Sequence, residues 1–199
     1  MRPDGVLEGR RCSSANDSTS ATSQSCLPKR ESSAALFPGG KVELAAQALR
    51  ESGAAYGELC ATILDAATSP TLGVRDLFDG AAAVLESTDF IDPCPIGSVA
   101  REVANTDERL RQVTADIFGL WVEMASDRLV NHGLPEPEAT SLATVIVAAI
   151  EGGFVMARSR RDASLLRVIG AQMETLTTIA FTANRVATRR PRSPAPRRT

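Results

Sequence analysis

Apolar side chains recur at steps of three and four residues along most of the chain, the spacing that places them on one face of a helix. The first such pattern covers residues 41–66. Ser69 then precedes Pro70, a typical helix start, because serine can cap a helix and proline is tolerated at its first position. A break at residues 92–95 separates this second helix from a short one over 96–103. The first half of the chain is therefore predicted to be helical.

Three more helical patterns follow. Asn105 and Glu108 have the spacing of a capping box, so a long helix is predicted to begin there and to end at His132-Gly133. The next pattern, from Leu142 to Met156, is apolar on nearly every side. Asp162 is expected to cap the last helix. Since alternation of apolar and polar residues never lasts beyond a few positions, we predict an all-α bundle of about six helices without strands.

The helix over 142–156 carries more apolar surface than one small bundle can bury. A symmetric dimer in which the last two helices pair with their copies would cover it. A glycine inside a helix costs up to about 1 kcal/mol against alanine, which is tolerable where two backbones approach closely. A glycine pair would equally accommodate a neighbour within one subunit. We predict a homodimer interface that includes Ile150, Glu151, Gly152, Gly153, Met173 and Leu176.

Charge divides the chain into three parts. Residues 1–35 are rich in serine and are predicted to be disordered, as is the Arg/Pro-rich tail over 185–199. Between them, residues 36–184 hold 11 basic and 20 acidic side chains, a net charge of −9. Such a surface repels phosphate, so this domain is not expected to grip nucleic acid by itself. The arginine tail is either a solvated extension or a source of salt-sensitive, sequence-blind nucleic-acid affinity.

Residues with catalytic or metal-binding chemistry are sparse. The four cysteines are widely spaced and His132 is the single histidine, so the short ligand pairs of a zinc site are missing. No nucleophile elbow or phosphate-binding glycine loop is present. We therefore predict no catalytic residues, no metal, no cofactor and no enzyme activity. Without an apolar signal, and with its longest apolar stretch too short for a bilayer, the protein is expected to be soluble, cytoplasmic and without a membrane partner.

Three segments carry a resemblance to a known family. The first segment is residues 92–100, with the turn Cys94-Pro95-Ile96-Gly97. The second is a long predicted helix with aromatic residues over 110–121, and the third is a predicted helix over 149–158 that contains Glu151-Gly152-Gly153. In this order and spacing they resemble the C-terminal domain of TetR-family regulators, in the branch of the lincomycin-resistance and flavonoid-responsive repressors. The resemblance covers about residues 36–180 and implies a dimer with an effector pocket in each subunit.

The resemblance also indicates where an effector would bind. In the family the pocket lies inside the central helices, where Phe78, Phe118, Trp121 and Met124 are the large side chains of this sequence. Apolar walls of this kind suit a flat, hydrophobic small molecule. Ordinary core packing is the alternative for each residue. Glu151 has two alternatives of its own: it anchors a polar group of the effector, or it pairs with an arginine across the dimer seam.

The family has an N-terminal helix-turn-helix head, and here the resemblance fails. It resumes at Phe37-Pro38-Gly39-Gly40-Lys41, after a Ser-rich segment with no amphipathic period. We expect a head that is absent or out of frame. Two functions remain open: a TetR-like regulator, by family a repressor, whose effector controls binding to operator DNA, or a headless ligand-binding or heterodimerising module that does not itself bind DNA.

Overall fold

The computed structural model describes residues 40–91 and 94–189. The segment 1–35 and the last ten residues of the predicted tail lie outside the described residues. Within them the chain forms six helices and no strand, which confirms the all-α prediction. Their bounds are α1 Gly40–Ala66, α2 Pro70–Ser87, α3 Pro95–Val103, α4 Glu108–Asn131, α5 Glu136–Arg160 and α6 Ser164–Arg189.

The helix ends follow the local capping rules with one correction. The Ser69 hydroxyl accepts a hydrogen bond from the Leu72 amide at 3.3 Å, as predicted for the start of α2. The cap of α4 is Asp107 rather than Asn105: its carboxylate accepts from the Leu110 amide at 3.0 Å. Asn105 cannot take this role because it lies in the turn that closes α3. The capping pattern located this helix start two residues too early.

The most extensive contacts in the core join three pairs of helices. α2 packs along α6, α4 along α5, and α1 against α4. Phe78 of α2 is fully buried, and a Cβ atom at Gly170 of α6 would lie only 2.6 Å from the Phe78 Cβ. The glycine therefore lets α6 approach the aromatic ring directly. Leu85, Ile96 and Leu166 complete a tightly packed interior with no accessible surface at their side chains.

The last two helices differ from their predicted form in two respects. α5 has 25 residues and is, among the described residues, the one helix whose length and apolar composition would suffice to cross a membrane; the apolar stretch had been expected to be too short. Its buried face packs in the bundle, whereas Val145, Val155 and Met156 are exposed, so the helix is not buried on every side of a single chain. α6 continues to Arg189, five residues beyond the boundary predicted at 184.

Candidate ligand site between helices α1 and α4

A cavity of about 440 Å³ lies between α1 and α4. Most of its wall is apolar, while the charged side chains that line it, on Arg50, Glu58 and Asp116, are exposed. The site therefore combines an apolar interior with a charged rim, the usual form of a small-molecule pocket. Its lining consists of Arg50, Gly53, Ala54, Gly57, Glu58, Ala61, Val113, Asp116, Ile117, Leu120, Trp121 and Met124.

Trp121 forms the centre of this wall. Its indole Nε1 donates a hydrogen bond to the carbonyl oxygen of Gly53 at 2.9 Å, which satisfies the one polar atom of a side chain that is only 8% exposed. A Cβ atom at Gly57 would lie 3.1 Å from Nε1, and one at Gly53 would lie 2.7 Å from Ile117 Cγ2. The two glycines thus allow α1 to approach α4 closely enough for the indole to reach its backbone.

These glycines were not among the site residues predicted from the sequence. A signal was available, because Gly53 and Gly57 are four residues apart and share one face of α1. Their partners Ile117 and Trp121 are also four apart, on α4. Each pattern is local, but their pairing joins positions more than 60 residues apart in the chain, which spacing alone cannot predict.

The four residues predicted to line an effector pocket take three different positions. Trp121 and Met124 line the α1–α4 cavity. Phe118 packs edge-on against the Trp121 ring, with the ring centroids 5.5 Å apart, and Tyr56 contacts the same ring at 5.5 Å. Phe78 lies in the closed α2–α6 core. Of these residues, two are placed in the cavity wall, one supports it and one belongs to the core.

Ion pairs tie α1 to α4 at both ends of the cavity. Near the end of α1, Arg128 donates two hydrogen bonds to the Asp65 carboxylate, at 2.8 and 2.7 Å. These bonds hold the pKa of Asp65 below its ordinary value. Near the beginning of α1, Glu43 pairs with Arg109. A displacement of α1 from the cavity therefore has to stretch or break contacts at its ends.

A separate polar cluster lies where α5 meets the first turn of α3. A Cβ atom at Gly97 would collide with Glu151 Oε2, so the carboxyl group rests directly on that turn. Burial raises the pKa of Glu151, and the Cys94 thiol donates a hydrogen bond to it. Glu151 Oε1 and Ser98 Oγ are buried without a hydrogen-bond partner in the described part of the chain. Glu151 therefore packs against α3 of its own chain, and its place in a dimer interface stays a prediction.

The two cysteines of the described residues are poor nucleophiles. Burial, followed by the nearby Glu151 carboxylate, raises the pKa of the Cys94 thiol to about 12 and that of Cys60 to about 11. A thiol with so high a pKa is protonated at neutral pH and reacts slowly. The ranges 40–91 and 94–189 also contain no group of three or more His, Cys, Asp or Glu side chains that could hold a metal ion.

The other residues predicted for a dimer interface divide between the inside and the outside of the bundle. A Cβ atom at Gly153 would lie 2.6 Å from Leu166 Cδ2, so this glycine accommodates α6 of the same chain. Ile150 and Met173 are partly buried against the core. Gly152 faces open space, and Leu176 is 38% exposed. Leu176 lines a shallow groove between α5 and α6 together with Leu142, Val145 and Ala180.

Comparison with known proteins places this arrangement in a family. Residues 70–172 match the model of the LmrA/YxaF-like transcriptional regulators, C-terminal domain. The HTH-type transcriptional regulator YxaF of Bacillus subtilis is 31% identical over 141 residues, which cover 71% of this chain and 74% of that protein. The chain belongs to the LmrA/YxaF-like transcriptional regulators.

Two further relatives of this LmrA/YxaF-like regulator are also described as HTH-type transcriptional regulators. The HTH-type transcriptional regulator Rv0196 of Mycobacterium tuberculosis is 30% identical over 145 residues, covering 70% of this chain and 73% of the relative. The HTH-type transcriptional regulator LmrA of Bacillus subtilis is 28% identical over 130 residues, covering 65% and 69%. The predicted TetR-type resemblance is thereby confirmed, and the family consists of transcriptional regulators rather than enzymes.

Proposed function

We propose that this LmrA/YxaF-like regulator binds a small, flat, apolar effector in the α1–α4 cavity, and that effector binding controls operator binding by a cytoplasmic dimer acting as a repressor. The observation that carries this proposal is the apolar cavity with Trp121 in its wall. Because Nε1 of Trp121 is already bonded to Gly53, the indole offers an effector its apolar surface rather than a hydrogen bond. The expected effector therefore binds by shape and burial, with any polar group directed to the rim.

The position of α1 suggests how occupancy is transmitted. α1 forms one wall of the cavity, and its ends are held by the pairs Glu43–Arg109 and Asp65–Arg128. An effector that separates α1 from α4 must bind the separated arrangement more tightly than the closed one. By linkage, any DNA site that prefers the closed arrangement is then bound more weakly. This coupling is what a ligand-released repressor requires.

The exposed faces of α5 and α6 support the dimer. Several large apolar side chains of these helices remain in contact with solvent in a single chain, which favours burial against a second copy. Gly152 leaves open space on the outer side of α5, where a partner helix can approach closely. The exposed apolar residues are Val145, Val155, Met156, Val168, Leu176, Ile179 and Val186.

Neighbouring alanines on α1 provide a matched test of the ligand site. Ala54 and Ala55 are both exposed, but only Ala54 lines the cavity. The neutral, apolar dye N-phenyl-1-naphthylamine serves as the probe, with affinity measured from its fluorescence increase. Ala54→Phe should fill the cavity and weaken binding at least tenfold, whereas Ala55→Phe should leave it within about twofold. Equal affinities for the two variants would contradict the proposed site.

A second candidate function is a ligand-binding module that does not itself bind DNA and that pairs with an intact relative. The acidic character of residues 36–184, with a net charge of −9, favours it. Electrophoretic mobility shift on the intergenic DNA beside its own gene separates the two candidates. A sequence-selective complex that survives about 150 mM salt and is released by effector supports the repressor. Only salt-sensitive, sequence-blind binding, or none, supports the module.

A further inference from the structure

A second groove, of about 370 Å³, runs between α4 and the beginning of α5. Val122 and Val130 contribute apolar surface to it, and the Ser126 and Thr140 hydroxyls meet across it at 3.0 Å. Three exposed carboxylates, on Glu123, Asp127 and Glu136, also line the groove. None of the three forms an ion pair with another residue of the described ranges. The groove thus presents an apolar floor with unpaired negative charge and no Lys or Arg.

Residues 190–199, with the sequence RPRSPAPRRT, have the opposite character. This arginine segment contains four arginines and no acidic residue: Arg190, Arg192, Arg197 and Arg198. Its three prolines favour an extended chain, which loses little conformational entropy when it lies in a shallow groove. In charge the segment is therefore complementary to the α4–α5 groove.

The end of α6 lies near enough to this groove for the segment to reach it. Asn184 donates a hydrogen bond to the Gly133 carbonyl at 2.7 Å, so the last part of α6 lies beside the turn that joins α4 to α5. The five residues from Asn184 to Arg189 add about 7.5 Å of helix. The ten residues that follow can extend over about 31 Å. A chain of this length can turn back and lie along the groove.

The spacing of the charges agrees with such a path. From Arg192 to Arg197, five residues of extended chain span about 16 Å. Along α4, the eight residues from Glu123 to Asn131, where the helix ends at the turn, span about 12 Å. The first arginines can therefore meet Glu136 near the turn while the last two reach Glu123 and Asp127. We propose that residues 190–199 dock in the α4–α5 groove of their own chain and that docking neutralises the arginines. This inference is independent of the proposed effector site.

Photo-cross-linking of the full chain tests the path directly. p-Benzoylphenylalanine replaces Ala195, and mass spectrometry locates the cross-links after a mixture of unlabelled and ¹⁵N-labelled protein has been irradiated. Docking predicts cross-links within one chain to residues 119–130 or 136–140, and their loss above about 0.5 M salt, because the contacts are largely ionic. Cross-links that are scattered over the surface, map elsewhere, or form only between labelled and unlabelled chains would overturn the proposal.

Heparin affinity supplies a second test with a matched control. The groove variant carries Glu123→Gln, Asp127→Asn and Glu136→Gln. The control variant carries Glu51→Gln, Asp76→Asn and Glu102→Gln, which are exposed carboxylates outside the groove. Both gain the same charge, but only the first releases the arginine segment. We expect the groove variant to elute from heparin at a higher salt concentration than the control. Elution at equal salt would contradict docking.

Discussion

The α2–α6 contact and the α1–α4 contact each bring a glycine of one helix against an aromatic ring of another, with different results. At α2–α6, Gly170 meets Phe78 on its Cβ and Cγ atoms, and the ring is fully enclosed. At α1–α4, Gly57 meets the Trp121 indole at its Nε1 edge, while the same residues border a cavity of about 440 Å³. The Phe78 ring is part of the closed core, whereas the Trp121 ring forms part of the cavity wall.

The difference lies in the side chains around each ring. Phe78 belongs to a core cluster of large buried side chains that also includes Val74, Leu77 and Leu166. The uncharged α1 residues that line the cavity beside Trp121 are small, namely Gly53, Ala54, Gly57 and Ala61, and they leave volume open. A glycine–aromatic contact therefore stabilises the fold where large residues surround it, and it supports a pocket where small residues do.

Truncation of the enclosed ring should have the largest effect. Phe78→Ala leaves a void in the core and should lower the free energy of unfolding by about 4 kcal/mol. Urea denaturation followed by far-UV circular dichroism measures this loss. Where the variant remains folded, its affinity for N-phenyl-1-naphthylamine should stay within about twofold of the original. A selective loss of probe binding would show that Phe78, too, contributes to the site.

Addition of a methyl group at each glycine sharpens the comparison. Gly170→Ala places a Cβ atom 2.6 Å from the Phe78 Cβ, close to the backbone of α2, and should cost about 1–3 kcal/mol. Gly57→Ala meets the end of the Trp121 side chain at 3.1 Å, beside the cavity, so its strain should be largely offset by the higher helix propensity of alanine. We expect a net change within about 1 kcal/mol, measured by the same denaturation. Equal losses would contradict the distinction.

The neighbouring glycines of α5 offer a smaller test, for the proposed dimer. A Cβ atom at Gly152 meets nothing within 4 Å in one chain, so alanine should stabilise an isolated subunit by about 0.5–1 kcal/mol. If a partner helix packs there, Gly152→Ala should instead raise the dimer dissociation constant about tenfold, which corresponds to about 1.4 kcal/mol. Sedimentation equilibrium measures the constant. An unchanged constant would exclude Gly152 from the interface.

The buried Glu151 carboxyl group should make the free energy of unfolding depend on pH. Burial raises the pKa of Glu151 in the folded state, so ionisation of this group opposes folding. The cost is absent below the unfolded-state pKa and increases as the pH rises through the folded-state pKa. Glu151→Gln should therefore be more stable relative to the original chain at pH 7 than at pH 4. Denaturation at both values measures the difference. A reversed trend would indicate a compensating partner for the carboxylate.

Much of the fold follows from local patterns. Apolar residues at helical spacing and caps such as Ser69 locate the six helices to within a few residues, because both signals are contained in one or two turns. The candidate site depends on contacts between distant segments. Trp121 could be selected as the single tryptophan, but the Gly53 carbonyl that holds it lies 68 residues away in the chain. Phe78 has the same local pattern as a pocket residue, and only its tertiary surroundings place it in the core.

Adjacent residues of α5 illustrate the same limit. Successive helical positions are about 100° apart around the axis, so Gly152 and Gly153 face different surroundings. Gly153 contacts Leu166 of α6, whereas Gly152 is exposed. Glu151, between Ile150 and Gly152, contacts Gly97 of α3. A charged residue and two glycines inside an apolar helix mark this segment in the sequence. Which of them faces which neighbour depends on the positions of α3 and α6.

The emission of Trp121 tests the central claim most directly, because it is the single tryptophan and lines the α1–α4 cavity. N-phenyl-1-naphthylamine bound in the cavity would contact the indole and accept its excitation energy. At a dye concentration that just saturates the original chain, most of the Trp121 emission should therefore be quenched in that chain and in Ala55→Phe, and much less of it in Ala54→Phe. Saturable binding that leaves Trp121 emission unchanged, or equal quenching in both variants, would contradict a ligand site between α1 and α4.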